Sequence, residues 1–201
     1  MASRTSRKLA SQAQSSPLTL VQPQSITRLD LGCGKNKKEG FTGCDRRAFP
    51  GVDVVLELTD KWPWKDSSVE EVFMSHTLEH FTGLERVHVM NEMWRVLRPD
   101  GKATIITPHW ASNRAYGDFT HQWPPVAEMF FYYLSKKWRA ENAPDNDFEW
   151  NPLGYKCDFE ATWGYGMRQD LLARSVEYQQ FAMNNYKESI LDMHATLVAK
   201  K

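Results

Sequence analysis

A glycine-containing turn followed by an acidic residue is the part of the sequence most suited to binding a small molecule. Gly32 and Gly34 come directly after the short apolar segment that ends at Leu31. Glycines at such a turn let the backbone bend sharply and approach a ligand closely, where a side chain would clash. Asp45 ends the next short apolar segment, where a carboxylate can accept hydrogen bonds from two ribose hydroxyls. The pattern therefore predicts a site for a ligand that contains a ribose.

The spacing around this turn distinguishes between cofactors. A dinucleotide site needs a third glycine that opens a helix, and an acid about 20 residues further on, so that a pyrophosphate can lie at the helix N-terminus. Here the third glycine is absent, Asp45 lies only 11 residues after Gly34, and residues 34–40 leave no room for a full helix. The sequence thus favours a cofactor with a ribose and no pyrophosphate, and it disfavours a nicotinamide-dependent oxidoreductase.

Four of the six histidines follow predicted strands, and these are His76, His80, His109 and His121. The unperturbed pKa of histidine suits proton removal near neutral pH. We predict His109 or His121 as a general base, with His80 as a further candidate; the alternative is that these side chains only brace loops. His76 and His80 could share a helix face and hold a metal. Because no thiol or obvious carboxylate completes that ligand set, no metal site is predicted.

Basic and aromatic side chains also fall in the predicted loops. The basic ones are Lys35, Lys37, Lys38, Arg46 and Arg47, and the tryptophans are Trp62, Trp64, Trp110, Trp123 and Trp150. The basic run is interpreted as a solvated loop, or else as an attractor of a phosphate-bearing substrate. The tryptophans are interpreted mainly as packing residues, although exposed ones could stack on a planar ligand. Basic and acidic residues both number 25, which argues against a strongly basic nucleic-acid binder and favours a small-molecule substrate.

Short apolar segments separated by helical or tight connections predict an α/β chain. In the first half the predicted strands are residues 26–31, 41–44, 52–58, 69–75 and 102–107, and residues 83–97 predict an amphipathic helix. In the second half the predictions are a helix over 126–138, a loop over 141–154, a strand over 157–163, a helix from about 167 into the 180s and a strand over 191–199. This alternation predicts a parallel sheet with covered faces and a ligand site at the carboxyl ends of its strands.

The length of 201 residues predicts a single domain over residues 26–201, after a flexible basic tail over residues 1–25. Residues 1–28 carry four basic and no acidic side chains, so a transit peptide or an arm for phosphate are alternatives for the tail. No apolar run is long enough for a transmembrane helix. The three cysteines are odd in number and not closely paired, which favours a reducing compartment. We therefore expect a cytoplasmic protein without membrane contact.

Four motifs, in this order, carry a family resemblance. The segments DLGCGK, GCD, SHTLEHF and NEMWRVLRPDGKATIITPH resemble the class I S-adenosylmethionine-dependent methyltransferases, and especially small bacterial and phage members with a shortened first loop. The resemblance implies an α/β, Rossmann-like methyltransferase fold, with a mostly parallel seven-stranded sheet, one reversed strand and helices on both faces. It also implies S-adenosylmethionine as the cofactor and methyl transfer to an acceptor that the sequence does not identify.

The resemblance further implies roles for individual residues. Asp30, Gly32 and Gly34, with the adjacent Cys33 and Lys35, would hold the methionine part of the cofactor, and Asp45 would hold the ribose. Glu57 and Leu58 would border the adenine, and Ser75 and His76 would lie beneath the sulfonium. The tetrapeptide typical of amino methylation is absent after the fourth predicted strand, where SHTL stands, which argues against methylation of a base nitrogen. A binding module of the same fold without turnover is the alternative to an enzyme.

Overall fold

The computed structural model describes residues 28–144 and 153–201, which form a seven-stranded sheet and six α-helices. The strands are β1 (Arg28–Leu31), β2 (Thr42–Asp45), β3 (Val54–Val55), β4 (Val69–Ser75), β5 (Leu97–Pro108), β6 (Phe159–Met167) and β7 (Ile190–Ala199). The helices are α1 (Gly83–Val96), α2 (Arg114–Gly117), α3 (Glu128–Tyr132), α4 (Lys136–Asn142), α5 (Gln169–Leu172) and α6 (Val176–Asn185), and a 3-10 turn covers Leu78–His80. The predicted tail and most of the predicted loop over 141–154 lie outside the described residues.

The sheet has the strand order β3-β2-β1-β4-β5-β7-β6. All neighbouring strands are parallel except that β7 runs antiparallel to both β5 and β6. The predicted α/β fold, with a mostly parallel seven-stranded sheet and one reversed strand, is confirmed. β1, β2 and β4 therefore end at the same edge of the sheet, as the sequence analysis expects of a ligand site.

The elements of the first half lie where the sequence predicts them, although β3 is shorter than predicted and β5 begins at Leu97, five residues before the predicted start. β4 has the predicted bounds, and α1 ends one residue before the predicted limit of 97. The backbone N–H of Thr82 donates to Glu85 Oε2 at 2.7 Å, which fixes the beginning of α1. β3 is much shorter than predicted, because Leu58 leaves the sheet and packs into the core, where its carbonyl accepts a hydrogen bond from Trp62 Nε1 at 3.0 Å.

Two predicted helices of the second half are wrong in their extent. The predicted helix over 126–138 is split into α3 and α4, because Ser135 leaves the helical conformation and its hydroxyl caps α4 by accepting from the backbone N–H of Trp138. The helix predicted from about 167 begins only after β6, which extends to Met167, and it is also split, with Ser175 capping α6. Serine favours a helix N-cap over a helix interior, which explains both breaks.

The two faces of the sheet differ in burial. Leu31 and Met74 on one face are fully buried and belong to one hydrophobic cluster with Met93 of α1. On the opposite face the paired Thr104 and Thr196 are only half-buried and exposed, respectively. Within the described residues, helix cover is therefore uneven between the faces. No helix in this part of the chain is long and apolar enough to cross a membrane.

The turn after β1 depends on two glycines for different reasons. Gly32 has a φ of +72° and Gly34 a φ of +54°, and other residues adopt this left-handed region only at an energetic cost. A Cβ on Gly32 would also lie 2.3 Å from Thr77 Oγ1, whereas a Cβ on Gly34 would meet no atom within 4 Å. Residues 32–41, all of which the structure describes, contain no helix, as the sequence predicts.

We predict that Gly32→Ala lowers the free energy of unfolding by about 3 kcal/mol, because backbone strain and steric overlap add. Gly34→Ala is the matched control, with strain alone and a loss of about 1 kcal/mol. Urea denaturation of the two variants measures both values. Equal losses would contradict the close contact between Gly32 and Thr77.

Candidate functional site

A crevice of about 730 Å³ opens where β1, β2 and β4 end. This volume lies within the range of small-molecule sites, about 300–1,000 Å³. The residues that line it on the β1 to β3 side include Gly32, Asp45, Arg46, Arg47, Glu57 and Leu58, and those on the other side include His76, Thr77, His80, Phe119, Thr120 and Gln122. The structure thus brings together many of the residues that the sequence analysis selects, from four separate segments.

Asp45 closes the glycine turn and also lines the crevice. Its Oδ2 accepts from the backbone N–H of Gly34 at 2.9 Å, and its Oδ1 accepts from that of Arg47 at 2.9 Å. A carboxylate offers about four lone-pair positions. Each oxygen therefore retains an acceptor position for a hydroxyl of a bound molecule.

Asp30, Cys33, Gly34, Lys35 and Ser75 lie next to the crevice but are not among its lining residues. Asp30 is 2% exposed and accepts from the backbone N–H of Lys38 at 2.7 Å. Burial raises the pKa of Asp30 despite this hydrogen bond. Burial also raises the pKa of the Cys33 thiol to about 11. Asp30 and Cys33 therefore support the turn from inside the protein.

His76 lies at the end of β4 with an unusual backbone conformation. Its φ is +50°, its N–H donates to the Ile106 carbonyl at 2.8 Å, and its ring lines the crevice. The Glu79 carboxylate, with Oε1 3.4 Å from Nδ1, raises the pKa of His76. Sparsely populated backbone conformations of this kind cluster at functional sites.

His109 is held within a hydrogen-bond network and has no free ring nitrogen. It is 2% exposed, and its Nδ1 accepts from the backbone N–H of Ala111 at 3.2 Å. Its Nε2 must then be the donor to Glu128 Oε1, 2.9 Å away. Glu128 also accepts from Tyr165 and Trp110. His109 is not among the residues that line the crevice, and its place in this network favours the structural role that the sequence left open as the alternative to a general base.

Glu79, His80 and His121 form a cluster beside the crevice, and of these three residues His80 alone is among those that line it. The rings of His80 and His121 have centroids 4.8 Å apart, with an angle of 75° between their planes. Glu79 is buried and accepts from Thr107 Oγ1 at 3.3 Å. Both histidines are among the residues predicted from the sequence, whereas Glu79 is not. Glu79 and His80 are adjacent in the sequence, and this was the only sign of a pair. His121 follows His80 by 41 positions, and the fold brings it close to them.

A buried arginine, also missed by the sequence analysis, joins the two segments that carry this cluster. Arg86 of α1 is 3% exposed. Its guanidinium donates to the carbonyls of Leu78 and Glu79 in the 3-10 turn, and to those of Gln122 and Pro124 in the loop before α3. In the sequence Arg86 has the pattern of an ordinary polar residue on an amphipathic helix. Its position shortly after the SHTLEHF segment is the one feature that could have indicated its role.

The tryptophans and basic residues have mixed environments. Trp62 and Trp64 are buried with their ring centroids 6.0 Å apart, so the packing interpretation is confirmed for these two. Trp110 and Trp123 are exposed, and Trp150 lies outside the described residues. Among the basic residues, Lys37 pairs with Asp53 at 2.9 Å, whereas Arg46 and Arg47 line the crevice.

Phe119 is a further crevice residue that the sequence analysis did not select. Its side chain is 95% exposed although it lies at the crevice. The polar residues around it, from Asp118 to His121, gave no apolar pattern by which to identify it.

Comparison with known proteins supports the resemblance found in the sequence. Residues 34–105 match the family model of a methyltransferase domain. No curated protein matches the sequence. A SAM-dependent methyltransferase from Archaeoglobus fulgidus has a similar structure, with 18% identity over 86% of both chains and a TM-score of 0.60.

Two further solved structures share the fold at lower similarity. Geranyl diphosphate C-methyltransferase from Streptomyces coelicolor, solved with Mg²⁺, geranyl diphosphate and S-adenosyl-L-homocysteine, has 14% identity and a TM-score of 0.51, covering 87% of this chain and 73% of its own. The cyclase SpnF has 14% identity and a TM-score of 0.51, covering 87% of this chain and 74% of its own. Identities this low show the fold, and a cyclase among the similar structures illustrates that the fold alone does not fix the reaction.

The Glu128 network predicts a pH-dependent contribution to stability. Burial alone would raise the pKa of Glu128, but hydrogen bonds from His109 and Tyr165 outweigh it and lower the pKa below its usual 4.5. Stability from this carboxylate is therefore present above about pH 4.5 and is lost as the pH falls through the lower folded-state value. We expect Glu128→Gln to cost about 1–2 kcal/mol at neutral pH and less in acid. Thermal melts across pH test this, with the exposed Glu141→Gln as control; a constant difference would contradict it.

Proposed function

We propose that this chain, which has the class I S-adenosylmethionine-dependent methyltransferase fold and matches a methyltransferase domain over residues 34–105, transfers a methyl group from S-adenosylmethionine to a small-molecule acceptor. The observation that carries this proposal is the crevice at the ends of β1, β2 and β4. Its lining combines a glycine turn, a carboxylate with free acceptor positions and, on the other side, ionisable side chains. A cofactor and an acceptor can therefore lie side by side in it.

The residues present fit the cofactor. Asp45 keeps one acceptor position on each carboxylate oxygen, which matches the two hydroxyls of a ribose. Gly34 faces open space at the position of a Cβ, so a ligand can approach the backbone of the turn closely. The absence of a helix after this turn removes a pyrophosphate site without affecting a cofactor that lacks phosphate.

The proposed roles are those that the family resemblance implies, and they are supported by position for the residues that line the crevice. Gly32 and Gly34, with Asp30, Cys33 and Lys35 supporting the turn, hold the methionine part, and Asp45 binds the ribose. Glu57 and Leu58 border the adenine, and Ser75 and His76 lie beneath the sulfonium. His80, on the far side, faces the acceptor, and His121 packs against its ring.

Methyl transfer requires of the protein chiefly that it align the cofactor and the acceptor. S-adenosylmethionine supplies a methyl group on a sulfonium, and the acceptor displaces it in line, so that the carbon–sulfur bond breaks with its electron pair on sulfur. The chain positions the two molecules and excludes water. An acceptor that arrives protonated must also lose a proton, and the exposed ring of His80 at the crevice can accept it.

The residues on the His80 side of the crevice, where we propose that the acceptor binds, favour a small molecule over a nucleic acid. Phe119 offers an apolar surface there, whereas Arg46 and Arg47 lie at the end of β2, on the other side of β1. Phosphate contacts from a nucleic acid would need basic residues around the acceptor.

Radiolabelled S-adenosylmethionine offered with a low-molecular-mass cell extract, and separately with RNA or DNA, tests whether the acceptor is a small molecule. Label transferred only to nucleic acid would contradict it.

Cofactor identity is tested by calorimetry with the full chain. We expect S-adenosylmethionine and S-adenosylhomocysteine to bind and NAD not to bind, because the pyrophosphate has no helix N-terminus to contact. Tighter binding of NAD than of S-adenosylmethionine would overturn the proposal.

Asp45→Ala should weaken S-adenosylmethionine binding by about 10- to 150-fold, because hydrogen bonds to a charged group contribute about 1.5–3 kcal/mol. The exposed carboxylate of Asp60 is not among the lining residues, and Asp60→Ala is the matched control. Thermal melts check that both variants fold. Unchanged affinity in the folded Asp45 variant would show that Asp45 does not bind the ribose.

A further inference from the structure

The cluster of Glu79, His80 and His121 has the composition of a metal site. One nitrogen of each ring and one carboxylate oxygen all lie within 4.8 Å of one another. Ligand atoms around a tetrahedral Zn²⁺ are separated by about 3.3 Å, given bond lengths of about 2.0–2.1 Å. A small inward movement closes the set, and the exposed ring of His80 has room to make it.

Hydrogen bonds at Nδ1 of both rings leave Nε2 without a hydrogen bond in each, although Nε2 of His121 lies 3.9 Å from Asp118 Oδ2. Thr120 Oγ1 donates its only proton to Asp118 Oδ1 at 2.6 Å, so it must accept from His80 Nδ1, 3.0 Å away. The Ala115 carbonyl can only accept, so His121 Nδ1 donates to it at 3.3 Å. In each neutral ring Nε2 then carries the lone pair. Metal-binding histidines are typically oriented in this way by a partner on their other nitrogen.

Glu79 supplies the third observation, which is independent of the histidines. Its side chain is only 5% exposed, yet Oε1 has no hydrogen-bond partner among the described residues. His76 Nδ1 lies 3.4 Å from Oε1, which is longer than a typical N–H···O hydrogen bond. A buried carboxylate oxygen without a partner is costly, and a bound cation would satisfy it.

We propose that Glu79, His80 and His121 bind a divalent transition metal ion, with Zn²⁺ as the representative. Two imidazoles and one carboxylate are the protein ligands of several catalytic zinc sites, which leave a further position open. His80 lines the crevice, so the proposed metal site adjoins it.

The open position defines a class of acceptor, and this step rests on the proposed function. A metal ion lowers the pKa of a hydroxyl or thiol bound to it, so the acceptor binds as the anion and its proton passes to solvent. The anion then attacks the methyl carbon while the carbon–sulfur bond breaks. An acceptor with a hydroxyl or thiol group fits this arrangement, and the two Nε2 lone pairs then bind the metal in place of accepting a proton.

Calorimetric titration of the metal-free full chain with ZnCl₂ tests the site. We expect one ion per chain, with at least tenfold weaker binding for His80→Ala and for His121→Ala. His194→Ala is the matched control, because His194 is an exposed histidine on β7, away from the cluster. Glu79→Gln removes the charge but keeps the shape, and it should weaken binding similarly; thermal melts show whether each variant is folded.

The outcomes separate this proposal from the proposed function. Visible absorption of Co²⁺ in a low-symmetry site should appear with the wild type and be lost in the folded His80 variant. Zinc binding that is absent, or equally weakened by His194→Ala, overturns the metal site. S-adenosylmethionine binding is measured in the same samples, and its absence overturns the proposed function whether or not zinc binds.

Discussion

The geometry of the crevice on the side that carries His80 depends on the buried guanidinium of Arg86. Removing an arginine from water is costly, and burial lowers the pKa of Arg86 accordingly. Backbone carbonyls replace the lost water, and they belong to two segments that are otherwise far apart in the sequence. Neither the 3-10 turn nor the loop before α3 can shift without leaving a buried donor unsatisfied. Arg86 therefore holds Glu79, His80 and His121 in a common arrangement that none of them maintains alone.

On the side of the crevice formed by β1 and β2, side chains likewise fix the backbone. With no helix after β1, the turn is fastened by Asp30 to the N–H of Lys38 and by Asp45 to the N–H of Gly34. Thr77 packs so closely on Gly32 that no methyl group fits between them. Thr77 also adjoins the 3-10 turn that Arg86 holds. The two sides of the crevice are thus connected through the end of β4.

The sequence predicts the features that depend on local pattern and fails where distant segments meet. The glycine turn, β4 and α1 follow from short-range periodicity and turn chemistry, which act within about 15 residues. The breaks at Ser135 and Ser175 could have been predicted, because serine favours capping. In the first of these segments the aromatic residues from Phe130 to Tyr133 favoured a continuous helix instead. The burial of Arg86 and the hydrogen bonds that fix His109 could not have been predicted. Each depends on backbone carbonyls or carboxylates that the fold brings in from distant segments. His109 and His121 looked equivalent in sequence, and only their partners distinguish them.

The segment from Asp118 to His121 combines an exposed aromatic ring with a fixed backbone. Asp118 accepts from both the backbone N–H and the hydroxyl of Thr120, and His121 is fastened to Ala115. Phe119 between them is therefore presented from a rigid support, although it contacts water over almost its whole surface. The conformational entropy of this segment is lost when the chain folds and not when a molecule binds. Binding of a ligand that covers the ring therefore carries a smaller entropic cost, and its affinity is higher. Selectivity at this edge of the crevice then follows the shape of the molecule that covers Phe119.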